Sequence, residues 1–366
     1  MAGNVKNYYA GGNTARGFAN LFGSSLQGLE RVYILKGGPG SGKSTLIRTI
    51  GNELAEQGYD IRFIHCASDN RSLDGVIVPK LGLGIVDGTA PHVIEPEVPG
   101  AVEQYVDLGQ AWDVAQLSER KADIIELNRS IKAAYEAAYA TYKEALRIHD
   151  EWEAIYIGCM DFDAANEVTE EYTGRLFGSV PSTGKAAVVS HRFLGAATPE
   201  GAVDFVPNLT EDVAKRYFIK GRPGSGKSTM LKKLAAIAEE RGLDVEIYHC
   251  GFDPNSLDMI IVRELGVAMF DSTAPHEYFP ERESDEIVDM YSRCITPGTD
   301  EKYAAEIADI QARYAAKMKE GTAHLAHAKS LRDQLEAIYV KATDFRLVDE
   351  ARERIRSEIQ SWIAGK

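Results

Sequence analysis

The chain has 366 residues, with 41 Lys and Arg against 55 Asp and Glu, a formal net charge of −14. Hydrophobic residues at 44% and charged residues at 26% are ordinary for a soluble globular protein, which excludes a disordered, collagen-like or disulfide-scaffold chain. The length suffices for about two domains with separate cores, and the acidic balance opposes nonspecific contact with nucleic acid or an anionic membrane. No stretch approaches the roughly 20 apolar residues of a membrane span, and Met1 to Asn7 carry no apolar signal core. The expectation is a cytoplasmic protein with no membrane attachment, its four cysteines (Cys66, Cys159, Cys250, Cys294) free thiols.

In chain order, the first predicted element is a short apolar strand over 31–36, followed by a Gly-rich loop. A helix from about Lys43 to Gln57 ends before Gly58. A strand covers 60–65, and a second apolar run, Leu83-Gly84-Ile85-Val86-Asp87, ends in an aspartate. From about Trp112 to Tyr156 apolar residues, among them Leu117, Ile124, Ile131, Tyr135 and Tyr142, recur near a seven-residue period, which predicts a long helix. Turn formers at 178–185 mark a joint. The series then recurs as strand 216–220, Gly-rich loop, helix about 227–240, strand 244–249, apolar run 267–271 and a helical segment from about Tyr303 to Val340. Within that last segment Gly321 and Thr322 predict a bend or a helical hairpin.

The recurrence is literal. Tyr33–Lys43, YILKGGPGSGK, returns as YFIKGRPGSGK at Tyr217–Lys227, an offset of 184. The same offset pairs His65-Cys66 with His249-Cys250, Ser72-Leu73-Asp74 with Ser256-Leu257-Asp258, and Thr89-Ala90-Pro91-His92 with Thr273-Ala274-Pro275-His276. At an offset of 183, Glu153-Ala154-Ile155-Tyr156 returns as Glu336-Ala337-Ile338-Tyr339 and Asp161-Phe162 as Asp344-Phe345. Strands alternating with helices then predict an α/β fold of two tandem P-loop NTPase domains, each a parallel sheet with helices on both faces. The first spans 1–182, with its helical extension at about 112–178, and the second 183–366, with its extension at about 300–364.

Gly37-Gly38-Pro39-Gly40-Ser41-Gly42-Lys43-Ser44 and Gly221-Arg222-Pro223-Gly224-Ser225-Gly226-Lys227-Ser228 both satisfy G-x-x-x-x-G-K-[ST]. Glycines let the backbone wrap phosphate oxygens, and successive N–H groups point inward beside a positive helix N-terminus. Lys43 and Lys227 are expected at the β- and γ-phosphates, Ser44 and Ser228 on Mg²⁺, and Thr45 and Thr229 at the α-phosphate. Asp87 and Asp271, closing apolar runs, are the candidate Walker B aspartates and metal ligands, in competition with Asp69/Asp253 and Asp74/Asp258. Gly88 and Ser272 stand where many ATPases carry a catalytic glutamate. His92/His276, Glu97/Glu281 and Asp69/Asp253 are therefore candidates to orient water, and Thr89/Thr273 to sense a γ-phosphate. Gly38 against Arg222 marks either functional divergence between the loops or an exposed arginine without a role. His65-Cys66 and His249-Cys250 lack a second cysteine at metal-ligand spacing and read as packed strand ends.

At these residues, ILKGGPGSGKST with LDG and DGTAPH, then IKGRPGSGKST with YHCGFDPNSLDM and FDSTAPHEYFP, the sequence resembles a bacterial family of tandem P-loop proteins described as ATP-binding or nucleotide-kinase-like. The resemblance covers nearly the whole chain and implies ATP or GTP binding in both halves, without supplying a substrate. The guanine-reading N-K-x-D string is absent, which tilts the expectation toward ATP. Three functions stay open: an Mg²⁺-dependent ATPase with an internal pseudo-dimer of sites coupled to the long helices, a kinase passing the γ-phosphate to a small acceptor, and a nucleotide-stabilised scaffold. In the first and last, the helices meet a protein partner or a second copy; packing of the helices on their own domain is the competing reading.

Overall fold

The computed structural model of the chain describes residues 2–365. In the first half, β1 (Val5–Tyr9), β2 (Gly11–Thr14), β3 (Gly17–Asn20) and α1 (Phe22–Leu26) precede β4 (Arg31–Lys36) and α2 (Lys43–Glu56). There follow β5 (Ile61–His65), β6 (Leu73–Val78), β7 (Leu83–Asp87), β8 (Glu103–Asp107), α3 (Val114–Glu119), α4 (Lys121–Ile157) and α5 (Phe162–Phe177). The second half opens with β9 (Val189–Phe193), β10 (Gly195–Thr198), β11 (Gly201–Asp204), α6 (Val206–Thr210), β12 (Lys215–Lys220) and α7 (Lys227–Glu240). It continues with β13 (Val245–His249), β14 (Leu257–Val262), β15 (Val267–Asp271) and β16 (Glu286–Asp289). It ends with α8 (Met290–Cys294), α9 (Thr299–Lys302), α10 (Ala304–Lys341) and α11 (Phe345–Ala364).

The fold is α/β, built on one 12-stranded sheet in the order β16-β12-β15-β14-β13-β9-β1-β5-β6-β7-β4-β8. That order reads the same from either edge, half for half. The halves meet where β1 and β9 run antiparallel, paired at Tyr9 and Phe193. Beside this join lies a buried charge cluster. Glu246 of β13 stands 3.0 Å from Arg263, 3.3 Å from Arg192 of β9 and 3.6 Å from Arg62 of β5, so three arginines from both halves converge on one carboxylate.

The sheet is mixed, which corrects the expected parallel one. β4 pairs in parallel with β7 and β8, and β1 with β5, but β6 runs antiparallel to both β5 and β7; β14 repeats this between β13 and β15. The connections at 66–72 and 79–82 are far shorter than the dozen or so residues of a parallel crossover, so a reversal is the only geometry open to them.

The long helices differ from expectation in two ways. First, α10 runs unbroken through Gly321 and Thr322. The glycine is a clearance, because a Cβ there would stand 2.6 Å from Cδ1 of the buried Tyr142 ring in α4. Second, the extensions pack mainly on each other, although α4 also keeps a contact with its own half, where Tyr139 donates to Asn13 at 3.0 Å and Ala15 joins the cluster of Ala138, Tyr142 and Leu146. α4 and α10 form an antiparallel pair, tied by Glu144–Lys317 and Glu151–Arg313 ion pairs of 2.8 and 2.6 Å, and at 37 and 38 residues each spans about 55 Å. The helices that follow them are exchanged. Val168, Tyr172, Leu176 and Phe177 of α5 join the core of β12, α7 and β13, while Ala351, Ile355 and Ile359 of α11 join the core of β4, α2 and β5. Among the described residues, no helix is long and apolar enough to cross a membrane.

Candidate functional site

Each Gly-rich loop joins a buried parallel strand to a helix, β4 to α2 and β12 to α7. Gly40, Gly42, Gly224 and Gly226 take φ of 71°, 85°, 73° and 89°, a left-handed backbone that a side chain would strain. The loop lysines start the helices and are nearly buried. Lys43 Nζ donates to the Gly37 and Gly38 carbonyls at 2.8 Å and lies 3.6 Å from Asp87 Oδ2. Lys227 Nζ donates to the Arg222 carbonyl at 2.9 Å and lies 3.6 Å from Asp271 Oδ2. Ser44 Oγ accepts the Leu73 N–H, and Ser228 Oγ the Leu257 N–H, both at 2.9 Å, which ties each loop to the start of β6 or β14.

Asp87 and Asp271 therefore stand at the end of the strand beside the loop, as the sequence predicted. Their other oxygen is held by Thr89 Oγ1 and Thr273 Oγ1, each at 2.6 Å, so these threonines orient the aspartates. Asp74 and Asp258 come to the same place from β6 and β14 and are buried. Burial lifts the Asp258 carboxyl to about 6. In the first half, ligand atoms of Asp74, Asp87 and His92 lie within 4.8 Å of one another. The two carboxylates are hard oxygen donors of the kind Mg²⁺ takes; the imidazole is foreign to such a set. Of the remaining candidates, Asp69 pairs with Lys329 at 3.5 Å and Asp253 with Arg16 at 2.7 Å, so both are committed to ion pairs with the opposite half. Glu97 and Glu281 are exposed in loops beyond the histidines.

The two sites are not copies in their histidines. His92 holds the Asp87 carbonyl through Nδ1 at 2.9 Å, turns Nε2 to Asp74 at 3.5 Å, and packs on Phe22. His276 instead bonds Asp204 through Nδ1 at 2.8 Å, and Tyr278 donates to the same carboxylate at 2.7 Å. Burial works against the charge on both imidazoles; Asp74 in one site and Asp204 in the other outweigh it and raise them above the ordinary histidine value. At the repeat offset, Asp204 corresponds to Asn20 and Tyr278 to Ile94. That mismatch was the one signal in the sequence for Asp204.

What the sequence missed is that each loop is roofed by the opposite half. A Cβ on Gly38 would lie 3.2 Å from Tyr339 of the opposite half and equally far from Trp112 of its own, so an arginine at this position would displace one of those rings. Arg222, its counterpart, is bound to Asp300 at 2.7 Å and lies over the Tyr291 ring. Beside the second loop opens a cavity of about 840 Å³. The walls combine the loop itself, Asp271 and His276 with His149, Trp152, Phe162 and Asn166 from the first half's helices. Burial lowers the His149 imidazole. At its repeat position in α10 stands Arg332, whose guanidinium faces Cys66 and Asp74 of the first half. No protein-family model matches the chain, and no curated protein or solved structure matches it either.

Proposed function

We propose that the chain is an Mg²⁺-dependent ATP-binding protein with two P-loop NTPase domains in an internal pseudo-dimer, hydrolysing ATP. One observation carries the reading: a Gly-rich turn between a parallel strand and a helix, with its lysine 3.6 Å from a strand-end aspartate, occurs twice with the same geometry. A triphosphate oxygen would replace the loop carbonyls as partner of Lys43 or Lys227, and the inward N–H groups would hold the phosphates without a counter-ion of their own. Ser44 with Asp87, and Ser228 with Asp271, would hold Mg²⁺, which supplies charge neutralisation between the phosphates. Asp74 and Asp258, next to these residues, would orient a water or accept its proton.

Titration of the full chain with ATP and Mg²⁺ in a calorimeter tests this, with phosphate release followed in parallel. Two binding events in the wild type, one lost with Lys43→Ala and the other with Lys227→Ala, are expected. Heat-silent titrations, or affinities indifferent to both lysines, would sink the reading. A kinase is the second reading, favoured by the reach of the cavity past Asp271 and His276 to Tyr142, Phe252 and Tyr314. A panel of small hydroxyl acceptors separates the two, since transfer yields ADP without free phosphate.

A further inference from the structure

Two phenylalanines are left in solvent at equivalent places in the repeat. Phe162 is 59% and Phe345 41% exposed. Each opens a helix immediately after an aspartate cap: Asp161 accepts the Ala164 N–H and Asp344 the Arg346 N–H, both at 3.0 Å. A single exposed ring is ordinary. Here the ring recurs at an offset of 183, and both times it stands beside the phosphate loop of the opposite half. Phe162 shares the wall of the 840 Å³ cavity with Gly221 to Thr229. Phe345 Cε1 lies 3.9 Å from a side-chain carbon built on Gly42. An aliphatic neighbour recurs with each ring: Ile157, 45% exposed, against Gly224, and Val340, 39% exposed, against Gly40.

We propose that Phe162 and Phe345 are base-stacking residues, each receiving the purine of a nucleotide whose phosphates lie in the other half's loop. The inference rests on the phosphate-loop reading above. Folding gains little from an exposed aromatic ring, but a flat apolar face within reach of a phosphate cradle is what a nucleobase stacks on. The loop supplies N–H groups and a lysine, which recognise triphosphate and are indifferent to the base. The exchanged helices supply the flat surface that the loop lacks. Each bound nucleotide then bridges both halves, with its tail in one and its base on the other, and the exchange of α5 and α11 becomes part of the binding site.

The test compares ATP with inorganic tripolyphosphate, each with Mg²⁺, on the full chain. Wild type should bind ATP at least tenfold more tightly than tripolyphosphate. The double variant Phe162→Ala, Phe345→Ala should lose about tenfold in ATP affinity, keep its tripolyphosphate affinity within twofold, and melt at the wild-type temperature because both rings are exposed. The variants Phe162→Trp and Phe345→Trp should keep ATP affinity, and their added fluorescence should be quenched by ATP but not by tripolyphosphate. An alanine double variant that binds ATP as wild type does, or that loses both ligands in equal measure, overturns the inference while leaving the phosphate loops intact as a reading. Wild type that binds neither ligand overturns the phosphate-loop reading and this inference with it.

Discussion

Replacing Ile355 by alanine should loosen the first Gly-rich loop, although the residue lies in the last helix of the chain. Ile355 is 1% exposed and shares a core with Leu35 of β4 and with Leu46, Ile47 and Ile50 of α2. Truncating a buried isoleucine loses its transfer free energy and leaves a cavity, at about 2–5 kcal/mol. α11 covers the core from outside and can settle inward, so a value near 3 kcal/mol is expected, about a hundredfold in the opening equilibrium. Amide hydrogen exchange read by mass spectrometry localises the effect. Peptides of β4 and α2 should exchange about a hundredfold faster. Those of β12 and α7, whose core is completed by Val168, Tyr172 and Phe177 of α5, should exchange at nearly the wild-type rate. Faster exchange in β12 and α7 with β4 and α2 unaffected would refute the exchanged placement of the helices.

Glu246→Gln should destabilise the chain by about 3–5 kcal/mol, read from urea midpoints, because Arg192 and Arg62 lose their counter-charge and Arg263 keeps only Asp212. In wild type burial favours the neutral acid, but those guanidiniums, Arg192 foremost, hold the Glu246 carboxyl far below its ordinary value. Its stabilisation is therefore complete above the ordinary glutamate value of about 4.3 and is lost as the pH falls toward the depressed one, a loss the Gln variant should not show. Asp204→Asn should lower the His276 titration midpoint, followed by NMR, since burial is then opposed only by the Asp258 and Asp271 carboxylates and no longer by the direct Asp204 partner. A raised folded-state value means that wild type gains stability below about pH 6.5 and loses it as the pH climbs through the folded midpoint; the Asn variant should lose that advantage, and an unmoved midpoint would contradict the pairing.

The Gly-rich strand-to-helix loops were legible because their signal is local: in each, two glycines that take positive φ and a lysine that starts the helix need no distant partner to be recognised. Asp87 and Asp271 were legible for a related reason, since an apolar run that stops at a carboxylate marks the mouth of a buried strand. β6 and β14 were missed because Leu73-Asp74-Gly75 and Leu257-Asp258 carry aspartates, which strands disfavour, whereas the fold buries those carboxylates beside the loop. The stripes of α5 and α11 announce that one face is buried but do not say against what; only the tertiary structure places Ile355 on Leu46 and Phe177 on Leu234. Asp204 lies 72 residues from His276, beyond any sequence pattern except the mismatch with Asn20.

Gly321 shows how a residue that breaks a pattern on paper can be the condition for it in space. Tyr142 is fully buried among Ala138, Leu146 and Leu325, so its ring has nowhere to turn. A methyl group at 321 would lie 2.6 Å from Cδ1 and 2.9 Å from Cζ, and closer still to Cε1. Ordinary carbon contacts need about 3.5–4.0 Å, so α4 and α10 must part by about 1 Å at their midpoint. Gly321→Ala should therefore destabilise by about 1–3 kcal/mol, although alanine is the better helix former by about 1 kcal/mol. Tyr142 also walls the cavity of the second loop, so the parting should widen that site and weaken ligand binding there before it is felt at the first loop. If alanine raises the melting temperature, helix propensity has won, and the close crossing of the two helices at this point is wrong.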